Sequence, residues 1–139
     1  MLNKNVPLEV VNAMNKNTIL EVLDIKTIEI GDDYIVATMP VDKRTHQPMG
    51  LLHGGASAVL IESLGSIGST LIIDMKTQNI VGLEVNANHL RAVKSGLVTA
   101  RATIVHCGRK THVWQVDIKD EDEKLVCTGR LTVMVTSKN

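Results

Sequence analysis

Phenylalanine is absent from this chain, and its aromatic residues are one tryptophan, Trp114, and one tyrosine, Tyr34. A core without aromatic bulk has to be filled by Leu, Ile, Val and Met, and any pocket for an apolar group has walls of the same kind. No excess of one charge is available either, since Lys plus Arg and Asp plus Glu each number 15. With balanced charge and no arginine–aromatic interleaving, there is no footprint for nucleic acid. Long apolar runs are missing as well. The opening MLNKNVPLEVVNAMN contains no stretch of signal-peptide character, and nowhere do roughly eighteen apolar residues follow one another. Cysteine is down to Cys107 and Cys127, without metal-site spacing, and these are expected to be reduced thiols used in packing. His46, His106 and His112 lack acidic or thiol partners at ligand spacing, so no metal or other cofactor is expected. These absences lead to the expectation of a soluble, cytoplasmic protein with no membrane partner. At 139 residues the chain suits a single domain spanning 1–139.

One stretch organises what remains. Gln47-Pro48-Met49-Gly50-Leu51-Leu52-His53-Gly54-Gly55 forms a polar turn and a His-Gly-Gly step, followed by small and aliphatic residues from Ala56 to Ile73. That run carries no proline and predicts a helix. Leu60, Leu64, Ile67 and Leu71 make one apolar stripe. Glu62, the only charge in the run, is about 200° around from Leu60 and points away from it. Its own face, with Gly55, Ala58, Val59, Ser66 and Ser69, is nearly free of bulk, as for close approach of another surface or a ligand. Gly65 and Gly68 each cost roughly 1 kcal/mol against alanine in a helix interior, which implies that something approaches the backbone closely there. The Gly54-Gly55 start leaves amide N–H groups unpaired at the positive end of the helix dipole, suited to an oxyanion. Glu62 is about 10 Å further along. Together these features make a plausible acyl-transfer site.

QPMGLLHGGASAVLIESLGS resembles the signature of hotdog-fold acyl-CoA thioesterases, in the branch of aryl-CoA and menaquinone-pathway enzymes. The resemblance continues through VGLEVNANHLRAV and GRKTHVWQVDI, over nearly the whole chain. It implies that Glu62 attacks a thioester or activates the water that does, and that the Gly55 amide receives the thioester oxygen while Gly54 supports the turn. It implies that His53 hydrogen-bonds beside the oxyanion, that Gln47 contacts or orients the carbonyl, and that Ser66 makes a polar contact near the water. His89, in NANH, is implied to touch the acyl group or the pantetheine arm. Where relatives often carry an aromatic residue this chain has Met49, a softer pocket wall. The implied substrates are aromatic (hydroxybenzoyl, phenylacetyl or dihydroxynaphthoyl) or medium-chain acyl thioesters of CoA or an acyl carrier protein. The implied assembly is a homodimer pairing into a tetramer, with Glu62 of one protomer meeting Gln47 and His53 of the other.

The pattern of elements agrees with that fold. Pro7 to Lys16 predicts a short helix serving as a lid or edge. Thr18 to Ile30 predicts a strand with a bulge near Lys26-Thr27, and Tyr34 to Val41 its return strand. After the helix, Ile80 to Val93 alternates with Val81, Leu83, Val85, Ala87 and His89 on one face. Further rows are Val98, Ala100, Ala102 and Ile104, then Trp114, Val116 and Ile118, then Leu125 to Val135. The expectation is an α+β hotdog domain, an antiparallel sheet wrapped around one long central helix. Arg91, Lys94, Arg109 and Lys110 sit at strand ends, where they are either CoA-phosphate ligands or solvated charges. Two other functions stand as alternatives, a non-catalytic acyl-CoA sensor and a hotdog hydratase or dehydratase.

Overall fold

The computed structural model describes every residue from Met1 to Asn139. Its elements are α1 (Leu8–Ala13), α2 (Ile19–Val22), β1 (Lys26–Ile30), β2 (Tyr34–Pro40), α3 (Gly54–Thr70), β3 (Gln78–His89), β4 (Leu97–Cys107), β5 (Thr111–Lys119) and β6 (Leu125–Ser137). The six strands form one antiparallel sheet in the order β1-β2-β4-β5-β6-β3, and α3 lies in its concave face. This is the hotdog arrangement.

Alternation in the strands makes the concave face apolar. Val98, Ala100, Ala102 and Ile104 of β4 are buried, as are Trp114, Val116 and Ile118 of β5 and Leu131, Val133 and Val135 of β6. The alanines of β4 leave room for the helix. Leu60, Ile61 and Leu64 of α3 are fully enclosed against this surface. The indole of Trp114 explains the two interior glycines. A Cβ at Gly68 would stand 2.5 Å from Trp114 Cη2, and one at Gly65 would stand 2.7 Å from Leu131 Cδ2 and 3.2 Å from Trp114 Cγ. The helix carries glycine where the sheet's one large ring presses on its backbone.

Three expectations are corrected. Ile19–Val22 is a helical turn rather than strand, because the Thr18 hydroxyl caps it by accepting from Leu20 N–H at 3.2 Å. The strand begins only at Lys26, and its bulge falls between Thr27 and Glu29. This strand is followed by β2 and then, across the sheet, by β4, β5 and β6, with β3 along β6 at the free edge. A bulge between Gly82 and Glu84 also breaks the phase of β3. Val85 and Ala87 pack on the core, while Val81 and Leu83 point outward, 44% and 55% exposed. Finally, Ser69 belongs to the buried side of α3. Trp114 Nε1 donates to its Oγ at 2.9 Å, and His112 Nδ1 is 3.0 Å away. No helix is long and apolar enough to cross a membrane.

Candidate active site

The start of α3 is built by a tight hairpin. Gly50, at φ 75°, donates its N–H to the Gln47 carbonyl at 2.9 Å, and Gln47 N–H returns to the Leu51 carbonyl at 2.8 Å. Glycine is required at that dihedral. The hairpin is tied down on both sides. Leu52 N–H donates to the Val93 carbonyl at 2.8 Å, His53 N–H to the Thr45 carbonyl at 2.7 Å, and the His46 ring bonds the Lys94 carbonyl at 2.8 Å. Within this frame the Gln47 side-chain oxygen accepts from Met49 N–H. Its NH₂ group makes no hydrogen bond within the chain.

His53 is the N-cap of α3, its Nδ1 accepting from Gly55 N–H at 2.7 Å. That bond requires an unprotonated Nδ1 and occupies the Gly55 amide. The Gly54 amide, first in the helix, has no partner within the chain. Gly54 faces His89, and a Cβ there would stand 2.6 Å from His89 Nε2. Gln47, Gly54, His89 and Arg91 line one cavity of about 430 Å³, with Ser57 at its floor. Ser57 was missed in the sequence reading. It sits one turn into the helix and is 1% exposed, and the only signal for it was its place directly after HGGA.

Glu62 stands apart from this group. Eight residues after Gly54 on one helix, it is about 12 Å away along the axis. Its side chain is exposed on its own chain. One carboxylate oxygen rests against Gly82 of β3, where a Cβ would stand 2.5 Å from Oε1. Ser66 follows one turn later on the half-exposed side of α3. Met49 projects from the hairpin tip, 78% exposed.

The basic candidates separate. Arg91 joins the cavity at the helix start, whereas Lys94 contributes its backbone carbonyl to His46. Arg109 and Lys110 lie at the opposite end of β3, beside Gln78 and Ser137. The two thiols are free, but only Cys127 is packed, where burial raises its pKa; Cys107 is exposed, contrary to its reading as a packing residue. No group of three or more His, Cys, Asp or Glu side chains is placed to hold a metal.

Residues 49–127 match the family described as the thioesterase superfamily. A 1,4-dihydroxy-2-naphthoyl-CoA hydrolase of Escherichia coli is 47% identical over 132 residues, covering 95% of this chain and 96% of that enzyme. The proofreading thioesterase EntH of Cronobacter turicensis is 46% identical over 132 residues, with 95% and 96% covered. A crystal structure of a mutant thioesterase PA1618 from Pseudomonas aeruginosa superimposes with a TM-score of 0.96 at 50% identity over 99% of each chain.

Proposed function

This chain belongs to the thioesterase superfamily and is a thioester hydrolase, and from that premise we propose that it hydrolyses acyl-CoA through Glu62. The acyl groups are aromatic, of the hydroxybenzoyl, phenylacetyl or dihydroxynaphthoyl kind, or medium-chain. The similarity to the naphthoyl-CoA hydrolase of E. coli supports the first of these. The observation that carries the assignment of Glu62 is its isolation. It is the sole charge in α3, on a face kept small by Gly55, Ala58 and Ser66. Glu62 attacks the thioester carbon itself or takes the proton of a water that does. As the C–O bond forms, negative charge moves to the thioester oxygen, which the amides at the helix start receive in the positive field of the dipole. The Gly54 N–H is free for this, and Gly55 N–H becomes so when the His53 ring turns aside. The Gln47 NH₂ group and His53 position the carbonyl. Collapse breaks the C–S bond. Where water attacked, Glu62 returns its proton to the departing thiolate and the free acid is released. Where Glu62 attacked, the thiolate takes a proton from solvent, and a water then hydrolyses the mixed anhydride, freeing the acid and the carboxylate.

The two halves of this machinery are about 12 Å apart on one chain, so the site is completed by a second copy. The exposed edge of β3, with Val81 and Leu83 outward, suits antiparallel pairing with its own mate. Glu62 of one protomer then meets Gln47 and His53 of the other, and pairs of dimers form the tetramer. His89 and Arg91 lie on the pantetheine and phosphate side.

Thiol release from a panel of acyl-CoAs, benzoyl through aliphatic, tests the reading with Glu62→Ala beside wild type. Turnover by wild type and a loss of about a thousandfold in the variant is the expected result. Acyl-CoA binding without thiol release would replace the enzyme by a sensor.

A further inference from the structure

The sheet has two edges, β1 and β3, and the chain treats them differently. At the first, the peptide groups of Ile25 and Thr27 face away from β2, and all four of their polar atoms are taken. Thr27 N–H donates to Asn12 Oδ1 at 2.8 Å, and Asn12 Nδ2 donates back to the Thr27 carbonyl at 2.9 Å. Ile25 N–H donates to the Leu20 carbonyl at 2.8 Å, and Asn15 Nδ2 donates to the Ile25 carbonyl at 2.9 Å. The Asn12 amide thus does with a side chain what a neighbouring strand does with its backbone. Both amides are held in place from behind. Val11 beside Asn12 is fully buried, and the buried Asn15 accepts from the Thr18 hydroxyl at its carbonyl, at 2.6 Å. At the second edge β3 pairs with β6 alone, and no loop bonds its backbone from Asn79 to Ala87.

Without those amides β1 is a strand that its own kind can join. Thr27, Ile28 and Ile30 are β-branched, and Ile28 is 48% exposed. Lys26 and Glu29 carry opposite charges, so two copies running antiparallel bring Lys26 of one beside Glu29 of the other. Their present contacts, to Asp24 and the Tyr34 hydroxyl, are at the surface, where such contacts hold weakly. We infer that Asn12 and Asn15 cap this edge against a second copy of the chain and so confine assembly to β3. Once opened, β1 pairs with β1 of another molecule. With β3 also available, molecules then join edge to edge and do not close at a fixed size. Only that last step rests on the proposed pairing at β3; the cap itself rests on the hydrogen bonds to Ile25 and Thr27.

The test sets wild type beside Asn12→Ala and the double variant Asn12→Ala/Asn15→Ala in sedimentation velocity over a wide range of concentration, with hydrogen exchange at the Thr27 amide. Alanine suits the helix that Asn12 occupies, and a cooperative thermal melt shows that the variants are folded. Wild type keeps one mass throughout. In the variants the Thr27 amide, its acceptor gone, exchanges about tenfold faster or more, and species of at least twice the wild-type mass grow with concentration. Adding Glu29→Lys to the double variant sets like charges opposite each other in the antiparallel pair and returns the mass to that of wild type. Faster exchange at an unchanged mass is an open edge that nothing joins, and it overturns the inference. Growth that Glu29→Lys does not reverse is aggregation by another route and overturns it too, and unchanged exchange removes the asparagines as the cap. The wild-type mass reports separately on β3: a monomer overturns the pairing there, while the difference between variant and wild type still decides the cap.

Discussion

Glu62 and Gly82 form a pair at the residue scale. The carboxylate is exposed and makes no ion pair or hydrogen bond within the chain, so Glu62→Gln should leave the melting temperature within about 1 °C and still lower kcat by a thousandfold or so. Gly82 gives the complementary test. A methyl there would collide with Glu62 Oε1 at 2.5 Å, and because that atom ends a flexible side chain the collision is relieved by swinging the carboxylate away. Gly82→Ala should therefore fold normally and lose tenfold or more in kcat, since misplacing a reacting group by about 1 Å can cost a hundredfold. Steady-state kinetics beside a thermal melt separates this outcome from simple destabilisation. His53 belongs at the same scale. With Nδ1 committed to Gly55 N–H, the ring has to turn before that amide can serve an oxyanion, whereas the Gly54 amide needs no such movement.

At the scale of elements, α3 and the strands beneath it are locked by a buried chain of donors, Trp114 Nε1 to Ser69 Oγ and the Ser69 hydroxyl to His112 Nδ1. Ser69→Ala removes the shared hydroxyl and should cost roughly 1–3 kcal/mol in denaturant unfolding for the stranded buried groups. Burial, reinforced by the nearby His106, pushes the His112 imidazole below its ordinary 6.5. The unfolded chain then takes up a proton near pH 6.5 that the native chain refuses, so the native state loses stability as the pH falls below that value. Thermal melts should show this loss in wild type and a shallower one in His112→Gln. The long helix, its boundaries to within three residues and the inward rows of β4, β5 and β6 were legible in the sequence, because a 3.6 period and strict alternation record burial directly. Ser69 was not. Seven positions from Glu62, it shares that residue's angle on an ideal helical wheel, but the curved sheet reaches up to it through Trp114. The outward turn of Val81 and Leu83 was equally hidden, since a bulge resets the phase and leaves no trace in hydropathy. The His53, Gly54 and Gln47 cluster could be read from its motif, whereas Ser57 and the placement of Arg109 at the far end of β3 depend on the three-dimensional path.

The whole molecule decides whether these parts amount to an enzyme. In the proposed mechanism Glu62 and the helix start act on one carbonyl, yet on a single chain they are about 12 Å apart along α3, and β3 leaves a long, partly apolar edge open, which proteins otherwise cover or interrupt. The pairing proposed through that edge would answer both at once, each site then drawing on two chains. The consequence can be counted. Glu62→Gln and Gln47→Ala, each made alone, should be nearly inactive. After unfolding and refolding as an equal mixture, about half of the dimers are mixed. In each mixed dimer one site carries both substitutions and the other carries neither. Activity should return to about a quarter of the wild-type value per chain. A site contained within one chain gives no recovery, because every chain in the mixture keeps its own defect. Native mass spectrometry of the same mixture, which resolves mixed from parental dimers, checks that the two variants have assembled together, so a failure to recover activity counts against the shared site and not against the pairing.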